Sequence, residues 1–442
     1  MPGLQVALPW GPEQLTLSLP EEWNLMGVMQ PSAKPAVVDE QEEVRRSLAA
    51  PIGMPGLAEL AAPSMKVAVV VDDDSRPTPM ARIFPLVLDE LERKGIRREH
   101  VTVIPALGVH RPMTEAEIAR RVGEAAFAGM RWENPECDNP ENLFRLGSTR
   151  RGTPVFINKT VAEADLVISI GCIKPHIIAS FGGGYKNLVP GVAARITIAH
   201  NHALNCRPDR YNNVGRPIDA NPMRLDLEEA GSLIRPRVFI VNAVLNSAGG
   251  ILRVVSGHPI EAHRAGVRVS ADNDGARLPA LADVVITSSH PMDQDLRQGV
   301  TALANTVRAL KPGGVMITCV RATEGVGVFG LANAKLPVGR TGLKVLAPLL
   351  LPLVPRLRVQ GMGEEDRFFL YFALQAMRLG QLLIYAPTIP REVRARLPFA
   401  FFLDSPETAV ALARRRFAGQ AQVLVFPRGG STYPILPGDD GR

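Results

Sequence analysis

The stretch from Gly171 to His202 concentrates residue types that do chemistry. It runs Gly171-Cys-Ile-Lys-Pro-His176, then Ser180-Phe-Gly-Gly-Gly-Tyr-Lys186, and reaches two further imidazoles at His200 and His202. Three consecutive glycines, Gly182, Gly183 and Gly184, leave no Cβ in the way, so successive backbone N–H groups can converge on a phosphate. Lys186 supplies a cation or a nucleophile. A Walker A loop is disfavoured, because the Gly-to-Lys spacing differs and Asn187 follows the lysine where Ser or Thr is required. Neutral imidazole suits nickel, zinc or copper. Residues two apart on a helix point to different sides, so only one of His200 and His202 can face a site. The competing reading is a glycine-rich turn with incidental histidines.

Three more clusters carry candidate chemistry. Asp72-Asp-Asp-Ser-Arg-Pro-Thr-Pro79 packs acids, a hydroxyl and a guanidinium together, and Asp73, Ser75 and Arg76 could bond ribose hydroxyls and an anion; a polar turn capping a helix is the alternative. Gly108-Val-His-Arg-Pro-Met-Thr114 carries His110, an imidazole that can serve as a general base near neutral pH. A lone loop histidine is more often a surface residue, and His110 gains weight from its company. Ser288-Ser-His-Pro-Met-Asp-Gln-Asp-Leu-Arg-Gln298 is the fourth cluster. His258 and His263 read as structural or exposed.

What positions these clusters is a repeated strand–helix rhythm. Lys66–Asp72, Val101–Pro105, Asp165–Ile170 and Val238–Asn242 read as short β-branched strands buried on both faces. Ala81–Lys94 reads as a helix with its stripe at Ile83, Leu86, Leu88 and Leu91, and Thr114-Glu-Ala-Glu117 as a capping box. Alternation of this kind predicts parallel sheets covered on both faces, with ligands beyond the carboxyl ends of the strands. Ala271–Arg277 reads as a boundary, after which strands at 282–287, 314–319, 382–385 and 422–426 and helices at 295–310 and 406–417 restart the rhythm. The expected fold class is α/β: two doubly wound domains, 1–270 holding cofactor and catalytic groups and 271–442 completing the substrate pocket, with the active site in the cleft. The polar tail 437–442 is expected to fray.

Composition excludes several classes. At 442 residues, 46% hydrophobic and 21% charged, the chain is an ordinary globular sequence of two-domain size. The net charge of +6 is spread over many arginines and aromatics are only 5%, which argues against nucleic acid as a partner. Four scattered cysteines form neither a disulfide framework nor a zinc knuckle. No signal peptide is expected. The most apolar run, 345–354, is broken by Pro348 and Pro352 and is too short to span a bilayer, so it reads as buried or interfacial. No membrane partner and a cytoplasmic location are expected.

Taken together, Asp73-x-Ser75-Arg76-Pro77, His110-Arg111, His176 ahead of Lys186, the Ser-Phe-Gly-Gly-Gly-Tyr-Lys core, Pro190-Gly191 and His202 resemble the nickel-dependent lactate racemase family. The resemblance is dense over residues 70–202 and looser elsewhere. It implies a nickel-pincer nucleotide (a pyridinium mononucleotide whose two sulfur-bearing arms hold nickel) tethered through Lys186, with His202 as the protein ligand to nickel. It implies that Ser180 and Gly182–Gly184 hold the phosphate and Asp73 the ribose. His110 and His176 would be the two acid/base groups, one for each substrate face, and Arg76 would polarise the substrate oxygen. The implied reaction is racemisation or epimerisation of a 2-hydroxy acid by reversible hydride transfer to the pyridinium. This avoids pulling a proton from a carbon beside a carboxylate. Cofactor-maturation enzymes are implied partners, beside the small-molecule acid.

The second half departs from the family pattern. A Tyr-Gln-x-x-Lys stretch is replaced by Arg297-Gln298-Gly-Val-Thr301, which keeps only Gln298. Arg297 and Gln298 are the expected substrate contacts, and the altered pocket suggests an acid larger or more polar than lactate, such as a sugar acid. The rival expectation is a metal-dependent hydrolase or lyase built on His176, His200 and His202.

Overall fold

A computed structural model describes residues 4–336, 338–417 and 419–436. The tail expected to fray lies outside them. Two six-stranded sheets organise the chain.

In the first, the order is Ile251–Gly257, Arg237–Leu245, Leu166–Cys172, Val67–Asp72, Val101–Ala106, Arg131–Trp132. All neighbours are parallel except the outermost pair, where Ile251–Gly257 runs antiparallel to Arg237–Leu245. Val67–Asp72 is buried at every residue, as its unbroken β-branched run requires of a strand covered on both faces. The chain builds outward from this strand to one side, then returns to lay Leu166–Cys172 on the other. The gap between the carboxyl ends of these two strands is the topological switch point, where a doubly wound sheet opens a crevice. Met80–Arg93 covers one face, burying Ile83, Leu86, Leu88 and Leu91. Thr114 and Glu117 form the expected reciprocal capping box.

The second sheet is wholly parallel, in the order Phe401–Leu403, Gln381–Tyr385, Leu310–Cys319, Ala282–Ser288, Gln422–Phe426, Asn24–Val28. Its switch point lies between Ala282–Ser288 and Gln422–Phe426.

Three features differ from the sequence expectation. Asn24–Val28 pairs with Gln422–Phe426, and Trp23 and the hairpin Gln5–Trp10/Glu13–Ser18 pack on the second sheet. The opening residues therefore join the second lobe and not the first. Ala271–Arg277 is not a free linker: helix Glu261–Asp274 runs through it, and Gly275–Arg277 pairs with Tyr433–Ile435. The single helix expected over 295–310 is broken into Leu296–Gly299, Thr301–Thr306 and a 3-10 turn at Val307–Ala309.

Candidate active site

Both switch points open onto one cavity of about 670 Å³. Its lining takes Asp72, Ser75 and Arg76 from the end of Val67–Asp72, Gly108–His110 from the end of Val101–Ala106, and Cys172–Ile178 from the end of Leu166–Cys172. The second lobe supplies His290, Asp293, Arg297, Gln298, Thr301, Phe369 and Arg428. The 288–298 cluster thus faces the first lobe's site across the cleft.

The acid run after Val67–Asp72 is divided by function. Asp72 is pinned from both sides: Arg121 donates to Oδ1 at 2.5 Å and to its carbonyl at 3.1 Å, and the Thr78 hydroxyl donates to Oδ2. Asp73 accepts from the Ser75 amide at 3.1 Å and its hydroxyl at 2.5 Å through Oδ1, while Oδ2 takes the Nδ1–H of His110. Burial alone would raise the Asp73 carboxyl, but the hydrogen bond and charge of His110, with Arg76 beside it, outweigh burial and hold it well below the usual carboxylate range. Both Asp73 oxygens are therefore committed within the protein, and Asp73 is not among the cavity-lining residues. The carboxylate orients His110, a partner the ribose expectation did not include, and leaves Nε2 of that ring free of Asp73.

His176 sits in a two-residue ladder opposite Ser180. The reversal is tight enough that Ser180 takes φ 63. It turns the amides of Ile178 and Ala179 onto His176 Nδ1, both at 3.2 Å. An Nδ1 that accepts has no proton, so the neutral ring carries it on Nε2. Burial lowers the His176 pKa well below 6.5, and Lys186, Arg76 and His202 push the same way. The two histidines are thereby unequal: His110 offers a lone pair, His176 a donor.

Two of the three glycine amides are engaged within the protein. The Gly182 amide donates to the Lys174 carbonyl at 2.7 Å and the Gly184 amide to Asn242 Oδ1 at 2.8 Å. Ser180 Oγ accepts from Asn221 at 3.1 Å. None of Ser180, Gly182, Gly183 and Gly184 lines the cavity. Their polar groups face a buried network in which Arg224 donates to the carbonyls of Phe181 (3.3 Å) and Gly183 (3.2 Å) and to Glu228 (2.7 Å), and His263 holds the Gly182 carbonyl at 2.7 Å. A Cβ at Gly184 would stand 2.5 Å from the Arg224 guanidinium. The glycines let the loop lie against this network, with Lys186 delivered to the cavity at its end.

Lys186 lines the cavity, and burial, then Arg76 and Arg224, push its pKa down to about 7. His202, on helix Arg195–Ala203, also lines it; burial and Lys186 push its pKa to about 3, so it is neutral, and its Nδ1 is buried with no hydrogen-bond partner. A buried amine that is half neutral at pH 7 and an unprotonated imidazole fit a covalent tether and a metal ligand respectively. His200 is exposed on the other side of the helix. Among the described residues no three His, Cys, Asp or Glu side chains are grouped to hold a metal ion, so the His176/His200/His202 cluster does not form. A lone imidazole ligand fits a metal that brings its other donors with it.

The cavity is also cationic. Among the described residues, no side-chain hydrogen bond or ion pair engages Arg76, Lys174, Lys186 or Arg297; the Arg297 guanidinium lies over the Phe369 ring at 5.8 Å. Arg76, Lys174 and Arg297, with Lys186 when protonated, give the cavity a cationic side even with the carboxylates of Asp73, Asp295 and Asp366 nearby, and suit an anionic ligand. Sequence reasoning missed Arg428, which donates to the Ser247 carbonyl at 2.8 Å across the cleft, and it left Arg224 unread. Arg428 had a legible signal, since it follows the Gln422–Phe426 strand end directly. Arg224 had none.

Comparison with known proteins agrees with this geometry. Residues 10–213 match the lactate racemase N-terminal domain. The chain is 31% identical to the lactate racemase of Thermoanaerobacterium thermosaccharolyticum over 74% of its length and 76% of that protein's. It is 30% identical to that of Lactiplantibacillus plantarum over the same shares. The fold superposes on the lactate racemase apoprotein structure from T. thermosaccharolyticum with a TM-score of 0.83, covering 98% of this chain and 100% of that one at 25% identity. A Thermotoga maritima structure shares the fold at a TM-score of 0.63 and 16% identity. Among the described residues no helix is long and apolar enough to cross a membrane. The chain belongs to the lactate racemase family, as an isomerase that racemises a 2-hydroxy acid.

Proposed function

We propose that this chain racemises or epimerises a 2-hydroxy acid larger or more polar than lactate, using a nickel-pincer nucleotide tethered through Lys186 and ligated by His202. The observation that carries the reading is the convergence on one cationic cavity of the Asp73–His110 pair, the donor His176, the depressed amine of Lys186 and the neutral imidazole of His202. When bound, the nucleotide supplies the hydride acceptor that spares the substrate a carbanion beside its carboxylate. The protein's own groups supply the rest. His110 Nε2 takes the hydroxyl proton, and Asp73 stabilises the imidazolium that results. His176 Nε2–H and Arg76 polarise the same oxygen, and hydride return from the other face requires the 2-keto acid to turn within the cavity. Lys174 meets the nucleotide phosphate, since the Gly182 and Gly184 amides are engaged within the protein.

Arg297 anchors the substrate carboxylate. It stands four residues before Thr301, where the family pattern has a lysine, and both line the cavity, so a cation is kept on the same wall at a shifted position. Gln298 adds a donor and acceptor beside it. Phe369 is the aromatic of the second lobe that lines the cavity; Trp10 stacks on Tyr385 at 5.6 Å outside it. A wall of this polarity suits a hydroxylated acid. Residues 30–270 would form the cofactor lobe and the remainder the substrate lobe.

Enantiopure 2-hydroxy acids and sugar acids should be screened with protein matured alongside the cofactor-building enzymes, with intact mass recorded in parallel. The expected result is turnover of a polar or extended acid above lactate, with an added mass located on Lys186. An unmodified lysine in active protein would refute the tether, and lactate as the best substrate would refute the pocket reading.

A further inference from the structure

The apolar run at 345–354 lies in the second lobe, and none of its residues lines the active-site cavity. Helix Arg340–Leu350 buries Leu343 and Ala347 against the body of the lobe, where it packs on helix Arg367–Leu379. Its opposite side is bare. Val345 is 70% exposed, Leu346 37%, Leu349 71% and Leu353, just past the helix, 54%. Pro348 and Pro352 are exposed beside them. Monomeric proteins seldom leave a contiguous ridge of large aliphatic side chains in water without a use for it.

Charge says what could cover it. From 325 to 363 the sequence has no Asp or Glu, yet carries Lys335, Arg340, Lys344, Arg356 and Arg358. Lys344 and Arg356 are exposed and without an ion pair among the described residues, and Arg358, 88% exposed, reaches Glu364 only at 3.4 Å. Arg340 is turned back over Phe401. A second copy is a poor occupant, since a two-fold contact through this ridge would bring like-charged rims together. Aliphatic crest, basic rim and acid-free sequence together describe a helix that lies in the plane of an anionic interface.

We infer that the Arg340–Leu353 ridge docks the enzyme on an anionic lipid surface, the crest entering the acyl boundary and Lys344 and Arg356 meeting the headgroups. This is peripheral attachment, which the run's shortness permits where spanning is excluded.

Full-length protein can be sedimented with vesicles of phosphatidylcholine alone and with phosphatidylglycerol added. Binding should be at least about tenfold stronger with the anionic lipid and fall with salt. The triple variant Val345→Ser, Leu349→Ser, Leu353→Ser should lose binding, and Lys344→Glu with Arg356→Glu should lose its anionic preference. All five positions are exposed, so thermal melting and racemase activity should be unchanged in both variants. No binding to anionic vesicles, equal binding by wild type and variants, or a wild-type dimer that the serine variant dissolves would each overturn the inference, the last by assigning the ridge to a second copy.

Discussion

At the scale of single residues, the account turns on the inequality of His110 and His176. The sequence supports two interchangeable acid/base groups, one per face. Nothing in residue type separates them; the difference arises from the two amides that a tight reversal aims at His176 Nδ1 and from the Asp73 carboxylate at His110 Nδ1. Replacing His110 by Gln should lower kcat by about 10²–10⁴, and Asp73→Asn should cost a comparable factor because the wrong tautomer is then favoured. His176→Gln keeps an N–H donor and should retain clearly more activity than His176→Ala. Equal loss in the two His176 variants would show that its ring nitrogen exchanges protons. Lys186 gives a pH prediction. Burial and neighbouring guanidiniums disfavour the ammonium, so the amine is half free at about 7 and mostly free one unit higher. Acylation of Lys186 in cofactor-free protein should rise across pH 6 to 8, roughly three units below an ordinary lysine. A labelling curve centred near 10 would remove the case for a pre-activated tether.

At the scale of elements, strand ends were the legible part of the site. The β-branched runs at 67–72, 101–106 and 166–172 point straight to Asp72–Arg76, His110 and His176, because a buried parallel strand has one functional end. The glycine loop has protein partners that its sequence does not reveal. A run of three glycines states that the backbone comes close to something; it does not state whether that is a phosphate or a buried arginine. Arg224, 43 residues away, reaches the loop through a helix whose sequence has no marker of the role. The structure separates the three glycines sharply. Gly184→Ala meets φ +64 and an atom at 2.5 Å and should cost about 2 kcal/mol or more in urea unfolding. Gly182→Ala finds nothing nearer than 3.4 Å and should be close to neutral in stability. Had the loop been a bare phosphate cradle, both would leave stability intact and both would damage cofactor retention.

At the scale of the whole molecule, two sheets place their switch points face to face, and the cavity between them collects cations from both lobes. The first lobe's contribution was readable from spacing. The second lobe's was not, because the return of Asn24–Val28 to the far sheet depends on a pairing hundreds of residues away, and no residue type marks the break of the 295–310 helix. Substrate choice belongs to this scale. Arg297→Tyr with Thr301→Lys should shift preference toward lactate, raising kcat/KM for lactate relative to the native acid by at least about tenfold. An unchanged ratio would place the determinant elsewhere on the wall. The proposed mechanism requires the C2 hydrogen to travel as hydride, without exchange with solvent. Racemisation of a C2-deuterated substrate in ordinary water by cofactor-loaded enzyme tests this most directly. The account predicts that the product enantiomer retains its deuterium; exchange of that deuterium with solvent during turnover would contradict it.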